Sequence, residues 1–526
     1  MGINKRFAGL LLAVILFFYA SLPAQVTALL PRSAPEAQGV ASVDISRFLE
    51  AGAKTKNEFH SFVFLRHGNV IAEGWWDPYK PSLRHTMYST SKSFTSTAVG
   101  FAVTEGLIKL SDKVIAFFPG ELPDTVSAFL AALTIKDLIT MSVGQRPDPT
   151  GVVIQKNNWV KSFLALPIVD TPGTKFLYNS MATYMLSAIV QKVSGQKIFD
   201  YLKPRLFEPL GMGAIDWEVS TEDINTGGWG LRLKTEDMAK FGQLYLQKGM
   251  WQGKQILPAA WIEEATTFKI KNAPDTATAL KNSSDWAQGY CYQFWRCRNN
   301  AFRADGAFGQ YIIVMPEKDA VIAITSETPD MQSILNLVWE YLLPAMKDKS
   351  LTADEKNDAL LKQQLNSLSL TVPAVGKDSL SVTKISGKNF ILEENADHLE
   401  KISFLAQKNT FRVTLGVAGK SYPILFGKGK WLKGATALPW GPPSLTGKPR
   451  EGSQGFSANK IATAYSWKND TTLLLTVRYI ESPHTQTFIC HFNANNINVR
   501  IDNSIKGMTP GANDKNPVIN GKNEGE

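Results

Sequence analysis

The sequence predicts an α+β fold, with an antiparallel sheet flanked by helices, an all-helical insertion, and a C-terminal all-β barrel or sandwich. Three observations carry this. Residues 61–76 (SFVFLRHGNVIAEGWW) read as two strands joined at His67-Gly68-Asn69. A second hairpin, 310–315 with 320–326, turns at Pro316-Glu317-Lys318-Asp319. Beyond about residue 350 come short alternating runs separated by turn residues, the pattern of a small all-β unit.

Taken in order, the chain opens with a targeting signal. Lys5 and Arg6 precede an apolar stretch at 7–20, and small residues follow up to Ala28, a favourable cleavage point. The expected product is exported, secreted or periplasmic, with no membrane span left after cleavage. The first hairpin follows, and from Ser89 to about Glu105 the spacing is helical, with Gly106 placed to stop it. Between 107 and 265 the pattern is mostly helix and loop, with apolar residues at three- and four-residue spacing in 179–193, 199–207 and 236–246. Strands return at 289–297 and in the second hairpin, and an amphipathic helix is expected at 331–346.

Both hairpins have short turns, so antiparallel pairing is natural and the two chain ends share one sheet. Each strand needs an apolar face covered, which calls for helices packed on the sheet. A polar helix at 353–365 leads into a linker, and the runs 401–406, 410–417, 473–479 and 487–492 build the second unit. The expected organisation is a leader at 1–28, a large α+β body at 29–348, a helix and linker at 349–377, an all-β domain at 378–508 and a disordered tail at 509–526.

Composition narrows the function. At 44% hydrophobic and 20% charged, the chain of 526 residues is neither fibrous nor wholly disordered. Its net charge of +9 includes two charges in the leader, and no long Lys/Arg run remains to follow a phosphate backbone, which disfavours nucleic acid. Three cysteines are too few for a disulfide scaffold. Cys291 and Cys297, six apart on one expected strand, cannot pair with each other, while either has Cys490 as a possible partner. Trp75, Trp76, Trp431, Trp440 and Trp467 read as packing residues before ligand surfaces.

The sequence lacks a GxSxG elbow, an HExxH pair, a Walker loop and a GxGxxG turn. It contains Ser89-Thr90-Ser91-Lys92 at a helix start. S-x-x-K there puts serine and lysine on one helix face, so a lysine amine depressed by burial can take the serine proton. The motif recurs at Ser194, Ser381 and Ser457, and taken alone Ser89 reads first as a helix cap, with Lys92 on a solvated face. Only Ser89 precedes an apolar, small-residue helix (FTSTAVGFAV) that must be buried, which sets Lys92 at a core edge.

Here the sequence resembles a family. Tyr88-Ser89-Thr90-Ser91-Lys92-Ser93-Phe94 is similar to the nucleophile helix of the serine β-lactamase/penicillin-binding fold, in its class C and esterase branch. Phe176-Leu177-Tyr178-Asn179-Ser180 resembles its Tyr-x-Asn motif, and Gly227-Gly228-Trp229-Gly230-Leu231 its glycine turn. Gly306-Ala307-Phe308-Gly309-Gln310-Tyr311 resembles its last strand pair, so the likeness covers about 32–346.

The resemblance implies Ser89 as acylated nucleophile, Lys92 with Tyr178 as the base pair, and the Ser89 N–H with one near Ala304 as oxyanion donors. It places substrate contacts at Asn179, Ser180, Ala304 and Gly306, and requires no metal or cofactor. Tyr178 serves as a base only if Lys92 lowers its ordinary pKa of about 10. Two departures matter. Ser180 stands where the family usually has asparagine, which puts amide recognition in doubt. The Lys-Thr-Gly strand is missing, its lysine falling on Ala301 and its glycine on Arg303. Arg298 and Arg303 are the candidates to meet a substrate carboxylate instead, against a plain solubility role. Asp305 reads first as a turn residue before Gly306. The expectation is a serine hydrolase for esters or short amides. A β-lactamase or D,D-peptidase acting on peptidoglycan-related amides, and a non-catalytic binding protein retaining the fold, are the alternatives. The expected partner is a small-molecule or peptide-like ester or amide substrate.

Overall fold

The computed structural model describes residues 29–274, 276–374, 384–407, 410–439, 441, 458–504 and 517–524. The leader read at 1–28 and Trp440 lie outside them.

The body is built on an antiparallel six-stranded sheet, in the order Asn69–Trp75, Glu58–Arg66, Ala320–Glu327, Gln310–Met315, Phe302–Gly306 and Trp295–Arg296. The two chain ends meet at its centre, where Phe62 pairs with Ile324 and Leu65 with Val321. Side chains alternate across the strands. Phe62, Phe64, Tyr311 and Ile322 point to one face, where the helices Ser42–Ala53 and Met331–Leu337 cover them with Phe48 and Leu335. Val63, Leu65, Ile312 and Val321 point to the other, packed beneath Phe94 and Phe241 of the helices Ser91–Thr104 and Thr235–Leu246. Burial on both faces is why the run SFVFL shows no polar alternation.

The helical block lies between the two halves of the sheet, with Ser180–Ser194 packed against Ser91–Thr104. The strand expected at 289–297 is corrected. Cys291 N–H donates to the Phe294 carbonyl at 2.9 Å, so the chain turns back, and only Trp295–Arg296 joins the sheet. Gln293 sits at that turn with φ 62 and is pinned by its side chain, which donates to the Ile139 carbonyl at 2.8 Å.

The C-terminal unit is a closed barrel of nine strands. The order runs Lys420–Lys428, Thr410–Val417, Leu399–Gln407, Asn389–Leu392, Val518–Asn523, Asn496–Asn503, Thr485–Asn493, Thr472–Tyr479 and Asn459–Asn469. A parallel pairing of Gly427 with Ala464 closes the ring, and Leu432–Thr436 adds an edge outside it. The interior is filled by side chains, among them Phe404, Phe411, Trp467 and Phe492. The tail expected at 509–526 is therefore corrected over Val518–Asn523, which is a barrel strand pairing Ile519 with Val499 and Lys522 with Ile391. A polar strand gains its partners only from distant segments, which its own composition does not announce. Cys291, Cys297 and Cys490 are buried free thiols. Trp76 stacks on Phe59 at 5.6 Å, as packing residues do.

Candidate active site

Ser89 lies in a short turn, Tyr88–Thr90, that runs into the helix Ser91–Thr104. The segment entering it is extended, and pairs His85 with Leu233 and Thr86 with Arg232. The Ser91 hydroxyl donates to the Tyr88 carbonyl at 2.6 Å and accepts from the Leu231 N–H at 3.2 Å, stitching the turn to the chain after the glycine run. Every residue from Ser91 to Ala102 is buried. Small hydroxyl residues suit that place because most find an acceptor: Ser93 donates to the Gln293 carbonyl at 2.7 Å and Thr95 to the Gly227 carbonyl at 2.9 Å.

Lys92 is 1% exposed, whereas Ser89 is only half-buried. The Lys92 Nζ stands 3.1 Å from Ser89 Oγ, 3.1 Å from Ser180 Oγ and 2.7 Å from the Gly228 carbonyl oxygen. Among the described residues no carboxylate pairs with it directly. Burial disfavours its charge and lowers its pKa from 10.5 to about 7, with Asp148 and Asp305 pulling weakly the other way. A neutral amine has two N–H groups and one lone pair. The Gly228 carbonyl can only accept, and the Ser180 oxygen takes the second N–H. With the neutral amine's N–H groups so used, its lone pair would face the Ser89 hydroxyl, an arrangement that suits a general base.

Gly228 explains why glycine stands at this point of the turn. A Cβ there would come 2.9 Å from the Ser180 carbonyl oxygen and 3.4 Å from Lys92 Nζ. Its carbonyl is the anchor of the amine, a role that motif spacing did not reveal, although the doubled glycine 227–228 signals a close approach.

Tyr178 reaches the same point from the other side. Lys92 Nζ lies 4.9 Å from its ring centroid, and the ring stacks on Trp295 at 5.5 Å. The condition for Tyr178 as a base, a pKa lowered by Lys92, runs against its surroundings. Burial, then the charge of Asp305, pushes the phenol well above its ordinary range, more than a hydrogen bond with Ser89 lowers it. At neutral pH it is a phenol, a donor rather than a base.

The substrate contacts divide. Asn179, expected among them, is 1% exposed and occupied. Its Oδ1 accepts from the Ala182 N–H at 3.0 Å, capping the helix Ser180–Ser194, and its Nδ2 donates to Gln145 at 3.0 Å. Ser180 instead faces Lys92. Ala304 and Gly306 sit on the strand Phe302–Gly306 beside the turn that carries Ser89. A Cβ on Gly306 would be 2.1 Å from the Met87 carbonyl oxygen, so only glycine lets the strand come this close to the chain entering Ser89.

Neither arginine is placed to meet a substrate carboxylate. Arg303 is fully buried, donating through Nε to Asp305 at 2.8 Å, with its guanidinium 4.4 Å from the Trp286 ring centroid and 5.6 Å from that of Trp295. Arg298 is paired with Asp285 at 2.8 Å and donates to Asn336 at 2.6 Å. Asp305 is more than a turn residue: it is 7% exposed, burial raises its pKa, and its charge reaches both Lys92 and Tyr178.

The family model described as Beta-lactamase matches residues 58–341. A 6-aminohexanoate-dimer hydrolase of Paenarthrobacter ureafaciens is 25% identical over 291 residues, 51% of this chain and 73% of that protein. A beta-lactamase of Escherichia coli (strain K12) is 22% identical over 313 residues, 50% of this chain and 81% of that protein. The structure of the octameric penicillin-binding protein homologue from Pyrococcus abyssi covers 91% of this chain and 99% of its own, with a TM-score of 0.46 and 16% identity.

Proposed function

Because the chain belongs to the Beta-lactamase family, a family of hydrolases, we propose that it is an exported serine hydrolase that cleaves esters or short amides through an acyl-enzyme. The observation that carries this reading is the buried Lys92 amine, 3.1 Å from Ser89 Oγ and held by Ser180 Oγ and the Gly228 carbonyl oxygen, so that in its neutral form it can turn its lone pair to the serine.

In this reading Ser89 Oγ attacks the substrate carbonyl and its proton passes to Lys92 Nζ. The negative oxygen of the tetrahedral intermediate is received by the backbone N–H of Ser89 and that of Ala304, helped by the N-terminal end of the Ser91–Thr104 helix. As the intermediate collapses, the carbon–oxygen or carbon–nitrogen bond of the substrate breaks. The proton on Lys92 goes to the leaving atom, with the Tyr178 phenol as hydrogen-bond donor beside it. Water then attacks the acyl carbon, gives a proton to Lys92, and releases the acid as Ser89 recovers its hydrogen. Ser180 and Gly306 flank the bound carbonyl group. No metal or cofactor takes part in these steps.

A β-lactamase or D,D-peptidase is supported less well. The lysine that would meet the substrate carboxylate is replaced by Ala301, which is fully buried, and Arg303 is spent on Asp305. An anionic substrate group entering there finds, among the described residues, no cation that is not already paired with Asp305. A binding protein that retains the fold would have no need to bury a lysine against a serine hydroxyl.

The test is hydrolysis of p-nitrophenyl acetate, a short anilide and benzylpenicillin by the mature protein and by Ser89→Ala. Turnover of the ester, abolished in Ser89→Ala, is expected. Penicillin as the preferred substrate would move the assignment to β-lactamase, and no turnover of any of the three would remove the enzyme reading.

A further inference from the structure

The barrel reaches the nucleophile. Its turn between the strands Thr472–Tyr479 and Thr485–Asn493 enters the body, and Glu481, Ser482 and His484 are 3%, 2% and 1% exposed there. The segment that leads to Ser89 is held along its length by this turn. Thr86 donates to the Glu481 carbonyl through its N–H at 3.0 Å and its hydroxyl at 3.1 Å. The Tyr79 hydroxyl donates to the Ser482 carbonyl at 2.9 Å.

The last of these contacts falls on the residue next to the nucleophile. His484 Nε2 is hydrogen-bonded with the Tyr88 hydroxyl, and His484 Nδ1 lies 3.1 Å from Glu327 Oε1. With Nδ1–H donating to that carboxylate, Nε2 is the acceptor of the Tyr88 O–H. Tyr88 is 5% exposed and has φ 48, a left-handed backbone that a tyrosine does not adopt without help from its surroundings. Its ring is further clamped edge-on by Phe308, at 5.3 Å between centroids, and Phe308 itself is held by His484 at 4.9 Å.

We propose that His484 of the C-terminal barrel is a positioning residue for the active site: by gripping the Tyr88 side chain it fixes the left-handed turn that aims Ser89 Oγ at Lys92. The barrel is then a working part of the hydrolase and not an appendage. This rests on the serine-hydrolase reading above. Loss of the grip keeps both reacting side chains but lets the turn relax and Ser89 Oγ drift from its aim at Lys92, so the chemical step slows while substrate binding is unchanged.

The experiment uses the full chain and a fluorophosphonate, following the rate of Ser89 phosphonylation beside the urea midpoint. His484→Ala and Tyr88→Phe are each expected to slow phosphonylation by about 10–100-fold, the cost of a small misplacement of reacting groups. The half-saturating reagent concentration is expected to stay the same. The double variant is expected to be no slower than the slower single, since both remove one bond, and His484→Gln to recover most of the rate. Val413→Ala, in the barrel core, is expected to lower the urea midpoint while leaving the rate as it is. Tyr88→Phe carries the test should His484→Ala fail to fold. A wild-type rate in both variants, additive losses in the double, or equal slowing in Val413→Ala would overturn the proposal. A wild-type protein that never reacts would overturn the hydrolase reading and this one together, whereas reaction at equal rates in wild type and His484→Ala overturns this one alone.

Discussion

Lys92 Nζ stands 3.1 Å from Ser89 Oγ and 2.7 Å from the carbonyl oxygen of Gly228. In the proposed mechanism the first contact offers the serine a base and the second holds that base still. The pair is built from one helix turn and one glycine, with burial supplying the rest.

The pH dependence of acylation follows. Lys92 is lowered from 10.5 to about 7, so it is protonated and useless as a base in acid, and becomes competent as pH rises through 7. Acylation rate against pH should show a rising limb with its midpoint near 7. A midpoint near 10 would contradict the depression of Lys92.

The same depression affects stability. Between pH 7 and 10.5 the unfolded chain holds a proton on Lys92 that the folded chain lacks. The contribution of this residue to stability therefore rises with pH across that window. Urea unfolding should show wild type gaining on Lys92→Met between pH 7 and 10, by up to about 4 kcal/mol. A gap that does not change with pH would contradict the assigned depression.

Tyr178→Phe tests the phenol as donor. The substitution keeps the ring on Trp295 at 5.5 Å and removes only the hydroxyl. If Tyr178 serves the leaving group, kcat should fall about 100-fold for an anilide and far less for a p-nitrophenyl ester, whose leaving group needs no proton. Equal losses for both substrates would assign Tyr178 to the attack step.

Arg303→Met tests the buried pair with Asp305. Removing one partner leaves a buried carboxyl uncompensated, which costs about 3–5 kcal/mol. Urea midpoints should fall accordingly, and Arg303→Met with Asp305→Asn should recover much of the loss. Similar destabilisation in the single and the double would mean that packing on Trp286, not the charge pair, is what Arg303 supplies.

Much of the fold could be read from local signals. Short turns at 67–69 and 316–319 dictate which strands pair, and the buried small-residue helix after Ser89 set Lys92 at a core edge. The strand Val518–Asn523 could not, because its stability comes from Ile391 and Val499, far away in sequence. Asn179 looked like a substrate contact and is a helix cap, since Asn before a helix serves both uses equally. Arg303 looked exposed because arginine usually is, and two tryptophans with an aspartate reverse that expectation. The reach of His484 to Tyr88 spans the two domains, and no spacing rule connects residues 88 and 484.

The most direct test of the central claim is peptide mapping by mass spectrometry after brief exposure of the full-length protein to a fluorophosphonate at pH 8. The account predicts one adduct, on the peptide that carries Ser89, formed rapidly in wild type and at least about 100-fold more slowly in Lys92→Met. An adduct on another residue, or equal labelling in Lys92→Met, would contradict it.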